Sequence, residues 1–370
     1  MHTVYTNGRR ESPILRDLIE DEITINPNFI TNKLIFGNGD KRHNYSVVEQ
    51  ETPFKEIKIV PYEDSEHHKE AINFVGNSRR SVDCKAYLET LEEVVNSQWD
   101  PRKFNLVYHS SGFDSRLMSH FIRKSYENSP GPILFVCWGD ECDSFKDIME
   151  YQGWDESQYI TIPPTREKYI YPFSFATVWK HVNGGSWHFS ASMYHTVLDY
   201  LRVVERVPRG DINIWTGLTN NELIRWPKDL NGNYKSLYYS WTLRMWGVIG
   251  GVEAIHPFLD IRLGKILFSA VNRKDKVRRQ LLKLADPKLE GFPRTATSKL
   301  TVSFGSLQRM VKDFKQSYYY QNIDPVDPGF DSDILMHDGR CRRYHIFWRK
   351  WTVASLIEEL VGRGVRVSYE

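Results

Sequence analysis

The chain has 370 residues, 41% of them hydrophobic, and its 49 lysines and arginines nearly balance 47 aspartates and glutamates for a formal net charge of +2. That composition is enough for one large or two modest globular cores and excludes large-scale disorder, and the balance of charge supplies no global reason for a nucleic-acid or anionic-membrane partner. No stretch is apolar for long enough to span a bilayer, the first ten residues lack the core of a signal peptide, and the four cysteines (Cys84, Cys137, Cys142 and Cys341) are too scattered for a disulfide framework, so a cytoplasmic setting is expected.

From Ile23 to Tyr62 short apolar runs, Leu34-Ile-Phe and Ile57-Lys-Ile-Val, alternate with Asn, Gly, Asp and Pro clusters, which predicts a small, partly β segment. Glu63 to Arg80 is polar and has no sustained period, so a linker and a domain boundary near residue 80 are expected. Its His67-His68 pair would point opposite ways on an extended chain and makes a poor chelate. Tyr87, Leu88, Leu91, Val94 and Val95 recur at helical spacing and predict a helix from Val82 to Ser97.

Phe104-Asn-Leu-Val-Tyr-His reads as a buried strand and Arg116 to Lys124 as an amphipathic helix. Ile133-Leu-Phe-Val-Cys-Trp is a second apolar strand and Ile212-Asn-Ile-Trp a third. Helical patterns cover Met193 to Val204, Val277 to Leu284 and Trp351 to Val361. Cys137 and Cys142 lie five residues apart without a second pair at ligand spacing, so buried thiols are the better reading than zinc. The 14% aromatic content suits base stacking or ordinary core filling equally well.

Strands that are apolar on both faces and alternate with helices predict a parallel, twisted α/β sheet covered on both sides, with a helical C-terminal part. Ligands of such sheets sit at the carboxyl ends of the strands, so the residues after the first and third strands matter most. After the first stands Ser110-Ser111-Gly112-Phe113-Asp114-Ser115. Backbone amides, a helix dipole and several hydroxyls converge there, which favours an anion. Gly112 allows a tight turn, and Asp114 offers a hard oxygen to Mg²⁺. No lysine follows the glycine, which excludes the Gly-Lys-Ser/Thr loop of common nucleoside triphosphatases and requires a cation from elsewhere in the chain.

This hexapeptide resembles the Ser-Gly-Gly-x-Asp-Ser signature of the ATP-pyrophosphatase (PP-loop) superfamily, with Ser111 where a glycine is usual. Gly251-Val-Glu-Ala-Ile-His-Pro-Phe-Leu-Asp-Ile-Arg-Leu263 is similar to a stretch of the asparagine-synthetase C-terminal domain, with Ile255 in place of an arginine. Trp215-Thr-Gly-Leu-Thr-Asn-Asn-Glu-Leu223 occupies the place of that family's Ser-Gly-Glu-Gly-x-Asp-Glu-Leu. Lys299 falls where the family carries a catalytic lysine. The matches are collinear from about Ala86 to Phe304. The resemblance therefore implies an adenine nucleotide alpha hydrolase-like fold for residues 81–370, and for residues 1–80 a segment like the linker to a glutaminase domain that is missing, since residue 2 is His and not the nucleophilic Cys.

The resemblance further implies that ATP and Mg²⁺ are used to adenylate a small-molecule carboxylate, with release of pyrophosphate, before an amine or ammonia captures the acyl group. It places Ser110, Ser111, Gly112, Phe113, Asp114, Ser115, Val136, Thr216 and Gly217 around the nucleotide and Asp114 and Asn221 on the metal, and gives Lys299 a charge-neutralising role. Two departures bear on the chemistry: the family's Glu that handles the attacking nitrogen is Leu218, and its second metal-holding Asp is Asn221. An amide oxygen still ligates Mg²⁺, without charge. Glu253 is then a candidate base, or equally a structural salt-bridge partner. Lys299 likewise has a bland reading as a solvated lysine.

Three functions stay open at this point: an amide-forming ligase, supplied with ammonia directly or by a separate glutaminase; a PP-loop enzyme acting on a nucleotide or nucleic acid, which the pairs Arg278-Arg279 and Arg342-Arg343 allow without requiring; and a non-catalytic scaffold. The C-terminal stretch, rich in Asp, Arg, Tyr and Trp, suits an acceptor pocket or a homodimer contact.

Overall fold

A computed structural model describes residues 5–12, 15–26, 52, 54–59, 80–138, 141–162, 197–217, 252–268, 270–272, 275–293, 312, 314–323, 336–337, 340–341, 354 and 356–369. Its centre is a five-stranded sheet: β1 (Phe104–Tyr108), β2 (Ile133–Trp138), β3 (Tyr159–Ile162), β4 (Ile212–Thr216) and β5 (Val252–Ile255), in the spatial order β5-β4-β1-β2-β3. Every neighbouring pair is parallel. Tyr108 is level with Val136 on one side and Thr216 on the other, so the strands next to β1 run to or past its carboxyl end.

Alternation along the strands feeds two separate cores. Leu106, Tyr108, Leu134, Val136, Ile212 and Ile214 pack with Val197, Leu198 and Leu201 of the helix at 197–203. Val107, Phe135, Cys137 and Trp215 face the opposite way, into a larger core built by helices α1 (Cys84–Gln98), α2 (Phe113–Asn128) and α3 (Cys142–Tyr151) with α4 (Ile261–Phe268), α5 (Asp275–Ala285) and α6 (Pro287–Gly291). The predicted parallel sheet covered on both faces is what forms. Helix α1 begins where Asp83 accepts from the Ala86 amide as N-cap, and its face of Tyr87, Leu91, Val94 and Val95 is buried.

Two asparagines interrupt the apolar strands at one level, Asn105 of β1 opposite Asn213 of β4. Their burial is tolerated because Asn105 Oδ1 accepts from Trp215 Nε1 at 2.9 Å and from Asn213 Nδ2 at 3.3 Å, while its own amide donates to the carbonyls of Asp100 and Lys103. At the β1–β2 crossover, a Cβ on Gly131 would stand 2.6 Å from the Pro101 backbone, so only glycine fits that approach.

The sequence pattern missed two strands of the sheet, β3 and β5. Both are short edge strands, and the run Val252-Glu-Ala-Ile lacks the continuous apolar character of a central strand. The partly β N-terminal segment is three-stranded and antiparallel, with Tyr5–Thr6 between Glu11–Ser12 and Lys58–Ile59. Two parallel pairings cross the boundary expected near residue 80: Glu22–Ile25 with Arg366–Tyr369, and Arg80–Ser81 with Ala270–Asn272. The run at Leu34 and the His67-His68 pair lie outside the described residues. Among the described residues no helix is long and apolar enough to cross a membrane.

His109, directly after β1, is buried with Nε2 3.1 Å from Ser119 Oγ and its ring between Phe135 and Phe145. Burial, with the nearby Arg116 charge, pushes its pKa down to about 3. The folded chain therefore keeps this imidazole neutral where the unfolded chain, with a pKa of about 6.5, takes up a proton. The stability it secures is complete above that value and is lost as pH falls toward 3, by about tenfold in the folding constant per pH unit between the two pKa values. Urea melts of wild type and His109→Gln at pH 7 and pH 5 check this: the wild type is expected to lose more stability between the two pH values than the variant.

Candidate functional site

The chain leaves β1 at Tyr108, makes the turn Ser110–Gly112 and enters α2 at Phe113. Gly112 is the extended N-cap residue and no side chain caps the helix. The amide of Gly112 donates to Ser110 Oγ at 3.1 Å, and the Ser110 and Ser115 hydroxyls are 3.0 Å apart, so the hydroxyls fold over the turn. The Ser111 amide donates to the carboxylate of Glu141 at 2.6 Å, and both residues are buried. A loop amide thus already holds an anion, in a short charge-assisted bond. Ser111 Oγ is buried with no hydrogen-bond partner among the described residues.

This turn occupies a particular place in the sheet. From β1 the chain order runs outward through β2 to β3, then resumes on the other side with β4 and β5, so the crevice between β1 and β4 is the point where the strand order reverses. Thr216 ends β4 and Gly217 follows it, in that crevice. A Cβ on Gly217 would lie 3.0 Å from the Ser115 amide nitrogen and 3.1 Å from its Cα, so the backbone after β4 lies against the first turn of α2. Thr216 Oγ1 shares a buried hydrogen bond of 2.7 Å with His256 Nδ1 at the end of β5. Ser110 to Ser115, Thr216 and Gly217 are therefore brought together.

Asp114, in the first turn of α2, is paired with a cation. Its Oδ2 is 2.8 Å from Arg278 Nη1 of α5, and the side chains are only 14% and 4% exposed. The Asp114 charge also adds to the burial that raises the Tyr87 phenol pKa. Arg116, fully buried one turn into α2, donates to the carbonyls of Leu289 (2.9 Å), Phe292 (3.0 Å) and Pro293 (2.6 Å). The Arg116 and Arg279 guanidinium carbons lie 5.7 and 5.8 Å from the centre of the Phe113 ring, which anchors the buried side chain of that loop residue.

Among structures of known proteins, the chain is similar to the U34-tRNA thiolase NcsA from Methanococcus maripaludis with its [4Fe-4S] cluster, at 14% identity and a TM-score of 0.34, over 73% of this chain and 80% of that one. A likeness this low says nothing about activity. No family model matches the sequence, and no curated protein does.

Other expected site residues stand elsewhere. Glu253 is the second residue of β5, level with Asn213 and Asn105, and pairs with Lys103 Nζ at 2.6 Å. Lys103 precedes β1, so this pair lies toward the amino ends of the strands, away from the loop, and the Glu253 side chain is 63% exposed. The salt-bridge reading describes it and the base reading does not. Glu253→Gln is accordingly expected to leave nucleotide binding within about twofold of wild type in titration calorimetry and to cost at most about 1 kcal/mol of stability, as a largely exposed pair does.

Val136 stands within the sheet. Its side chain is in the core and its carbonyl accepts from the His109 amide at 2.9 Å, so that part of its backbone is engaged inside the sheet. The strand runs on to Trp138, whose ring meets Tyr108 edge-on at 5.6 Å. The Arg278-Arg279 pair is not a basic patch: Arg278 is buried against Asp114, and Arg279 Nε pairs with Glu290 at 2.9 Å. Lys299, Leu218, Asn221 and Arg342-Arg343 lie outside the described residues. Cys137 and Cys142 are buried free thiols, and no three metal-ligating side chains gather among the described residues.

Glu141, Arg278 and His256 join the site without having been expected there. Glu141 and Arg278 carry no local signature, because their partners are 30 and 164 residues away along the chain. His256 stands inside the stretch from Gly251 to Leu263, and only the register of β5 against β4 shows that it reaches Thr216.

Proposed function

We propose that the chain is an ATP-using enzyme whose 110–115 turn holds the departing pyrophosphate while the nucleotide is cut between its α and β phosphates. The observation that carries this is the turn's position: an uncapped helix start in the crevice where the strand order reverses, with a Ser111 amide that already binds a carboxylate. The residues present suit the phosphates. Ser111 Oγ is a buried hydroxyl with no hydrogen-bond partner among the described residues, and Gly217 leaves the approach to Ser115 without a side chain. They also suit Mg²⁺, which takes one or two carboxylates and completes its shell with phosphate and water; Asp114 is the carboxylate that would hold it. The bound ion would supply charge to the leaving pyrophosphate.

The acceptor is read from the resemblance to asparagine synthetases. A carboxylate oxygen attacks the α-phosphorus, the bond to the pyrophosphate breaks, and an amine or ammonia then displaces AMP from the acyl carbon to leave an amide. Lys299 and Asn221 take the roles that resemblance gives them, as further cation and neutral metal ligand. Ammonia comes free or from a separate glutaminase.

A second reading keeps the turn and its nucleotide but passes AMP to a nucleotide or nucleic acid, the class of substrate named for the thiolase. The helix α5 arginines do not form an exposed basic patch for a nucleic-acid backbone, since Arg278 is turned inward onto Asp114 and Arg279 is paired with Glu290. Products separate these readings from their alternatives. Incubated with ATP, Mg²⁺ and a panel of amino acids, peptides and tRNA, the protein is expected to form AMP and pyrophosphate with a carboxylate of that panel. Turnover dependent on tRNA alone selects the second reading, and ADP with phosphate as products overturns both.

A further inference from the structure

The turn from Ser110 to Ser115 has no lysine of its own, yet a pyrophosphate group brings several negative charges to it. Resting on the nucleotide reading above, we infer that Arg278 is a cation of this site, and that it exchanges the Asp114 carboxylate for phosphate oxygens when pyrophosphate or a nucleotide enters.

Arg278 comes from α5, which packs against both α1 and α2, and places Nη1 2.8 Å from Asp114 Oδ2 in the first turn of α2. With side chains 4% and 14% exposed the pair is almost free of water, so its charges act at low effective dielectric and dominate the local field. A guanidinium presents five donors in a rigid fork and stays charged, so it matches a phosphate as readily as a carboxylate. Its neighbours Arg116 and Arg279 are committed elsewhere, to the carbonyls of Leu289, Phe292 and Pro293 and to Glu290. In the resting chain Asp114 therefore competes with the ligand for Arg278. With a metal ion bound, Asp114 would be the carboxylate that holds it and Arg278 would be left to the phosphates.

This competition makes opposite predictions for the two partners. Inorganic pyrophosphate without metal is titrated into the full chain, followed by the rise in melting temperature and by calorimetry; the melt itself reports folding. Arg278→Gln is expected to weaken pyrophosphate at least tenfold, with Arg278→Lys between it and wild type. Asp114→Asn, neutral and of the same shape, is expected to tighten metal-free pyrophosphate several-fold. A merely structural ion pair would be broken by either change, so Asp114→Asn and Arg278→Gln shifting affinity in the same direction, or Arg278→Gln binding like wild type, overturns the assignment. If Arg278→Gln fails to fold, the sign for Asp114→Asn decides alone. Wild-type protein that binds neither pyrophosphate nor ATP overturns the nucleotide reading and this inference together, whereas wild-type binding unaffected by Arg278→Lys and weakened by Asp114→Asn overturns only the inference.

Discussion

Asp114→Asn should abolish AMP and pyrophosphate formation, lowering the rate by at least about a hundredfold, because this carboxylate would hold the Mg²⁺ whose positive charge stabilises the departing phosphates. The loss is chemical rather than structural. Asn keeps the shape of the side chain at the start of α2 and still accepts a hydrogen bond from Arg278, so the variant should fold, and the pairing removed is one of many contacts between α2 and α5. What disappears is the negative oxygen offered to Mg²⁺. Excess Mg²⁺ should therefore recover part of the rate, by raising occupancy of a weakened site. Pyrophosphate release measured against Mg²⁺ concentration checks this. A rate within a few-fold of wild type would remove Asp114 from the metal, and a rate lost without any dependence on Mg²⁺ would point to a folding defect.

The largest effect on stability is expected at Arg116. Its guanidinium is fully buried and donates to three main-chain carbonyls, those of Leu289, Phe292 and Pro293, at the close of α6. Arg116→Met keeps much of the apolar stem but leaves those carbonyls short of donors, and buried carbonyls without partners cost roughly 1–3 kcal/mol each. A total loss of about 3 kcal/mol or more is expected, a large share of the stability of an ordinary domain. Arg116→Lys should rescue little, since an ammonium cannot reproduce the planar fork. Urea melts decide it, and a loss below about 1 kcal/mol for Arg116→Met would mean the carbonyls find other donors.

How far the sequence carries the reading depends on how local each feature is. Strands β1, β2 and β4 are apolar on both faces and are legible as runs, and α1 is legible because Tyr87, Leu91, Val94 and Val95 repeat at helical spacing. The turn at Ser110 is legible for the same reason, since a Ser/Gly cluster between a buried strand and an amphipathic helix is a short-range pattern. Edge strands are not. β3 and β5 have one neighbour each, and Glu253 can sit in β5 because its side chain escapes to solvent beside Lys103. Glu253 therefore keeps its position in the motif without reaching the loop.

Pairings across the fold were hidden for a different reason. Arg278 and Arg279 look alike in sequence, as two basic residues side by side on an amphipathic helix. On α5 one faces inward, onto Asp114, and the next faces outward, onto Glu290, because successive helical residues are about 100° apart. Only the packing of α5 on α2 decides which of them meets the loop. Glu141 is similar: nothing near it predicts that its carboxylate would turn back to the Ser111 amide, which it meets because α3 starts beside β2 at the same edge of the sheet. Val136 shows the converse, a residue placed correctly in its strand whose carbonyl is spent on the sheet itself.

On the proposed function, the turn after β1 grips the phosphates of ATP. Crystals of the full chain grown with Mg²⁺ and a nucleotide whose α–β bridge is a methylene, which blocks the cut, would test it most directly. The β and γ phosphates are expected on the amides and hydroxyls of Ser110 to Ser115, with Asp114 turned to the metal. Phosphates bound in any other crevice, with Glu141 still on the Ser111 amide and Arg278 still on Asp114, would contradict it.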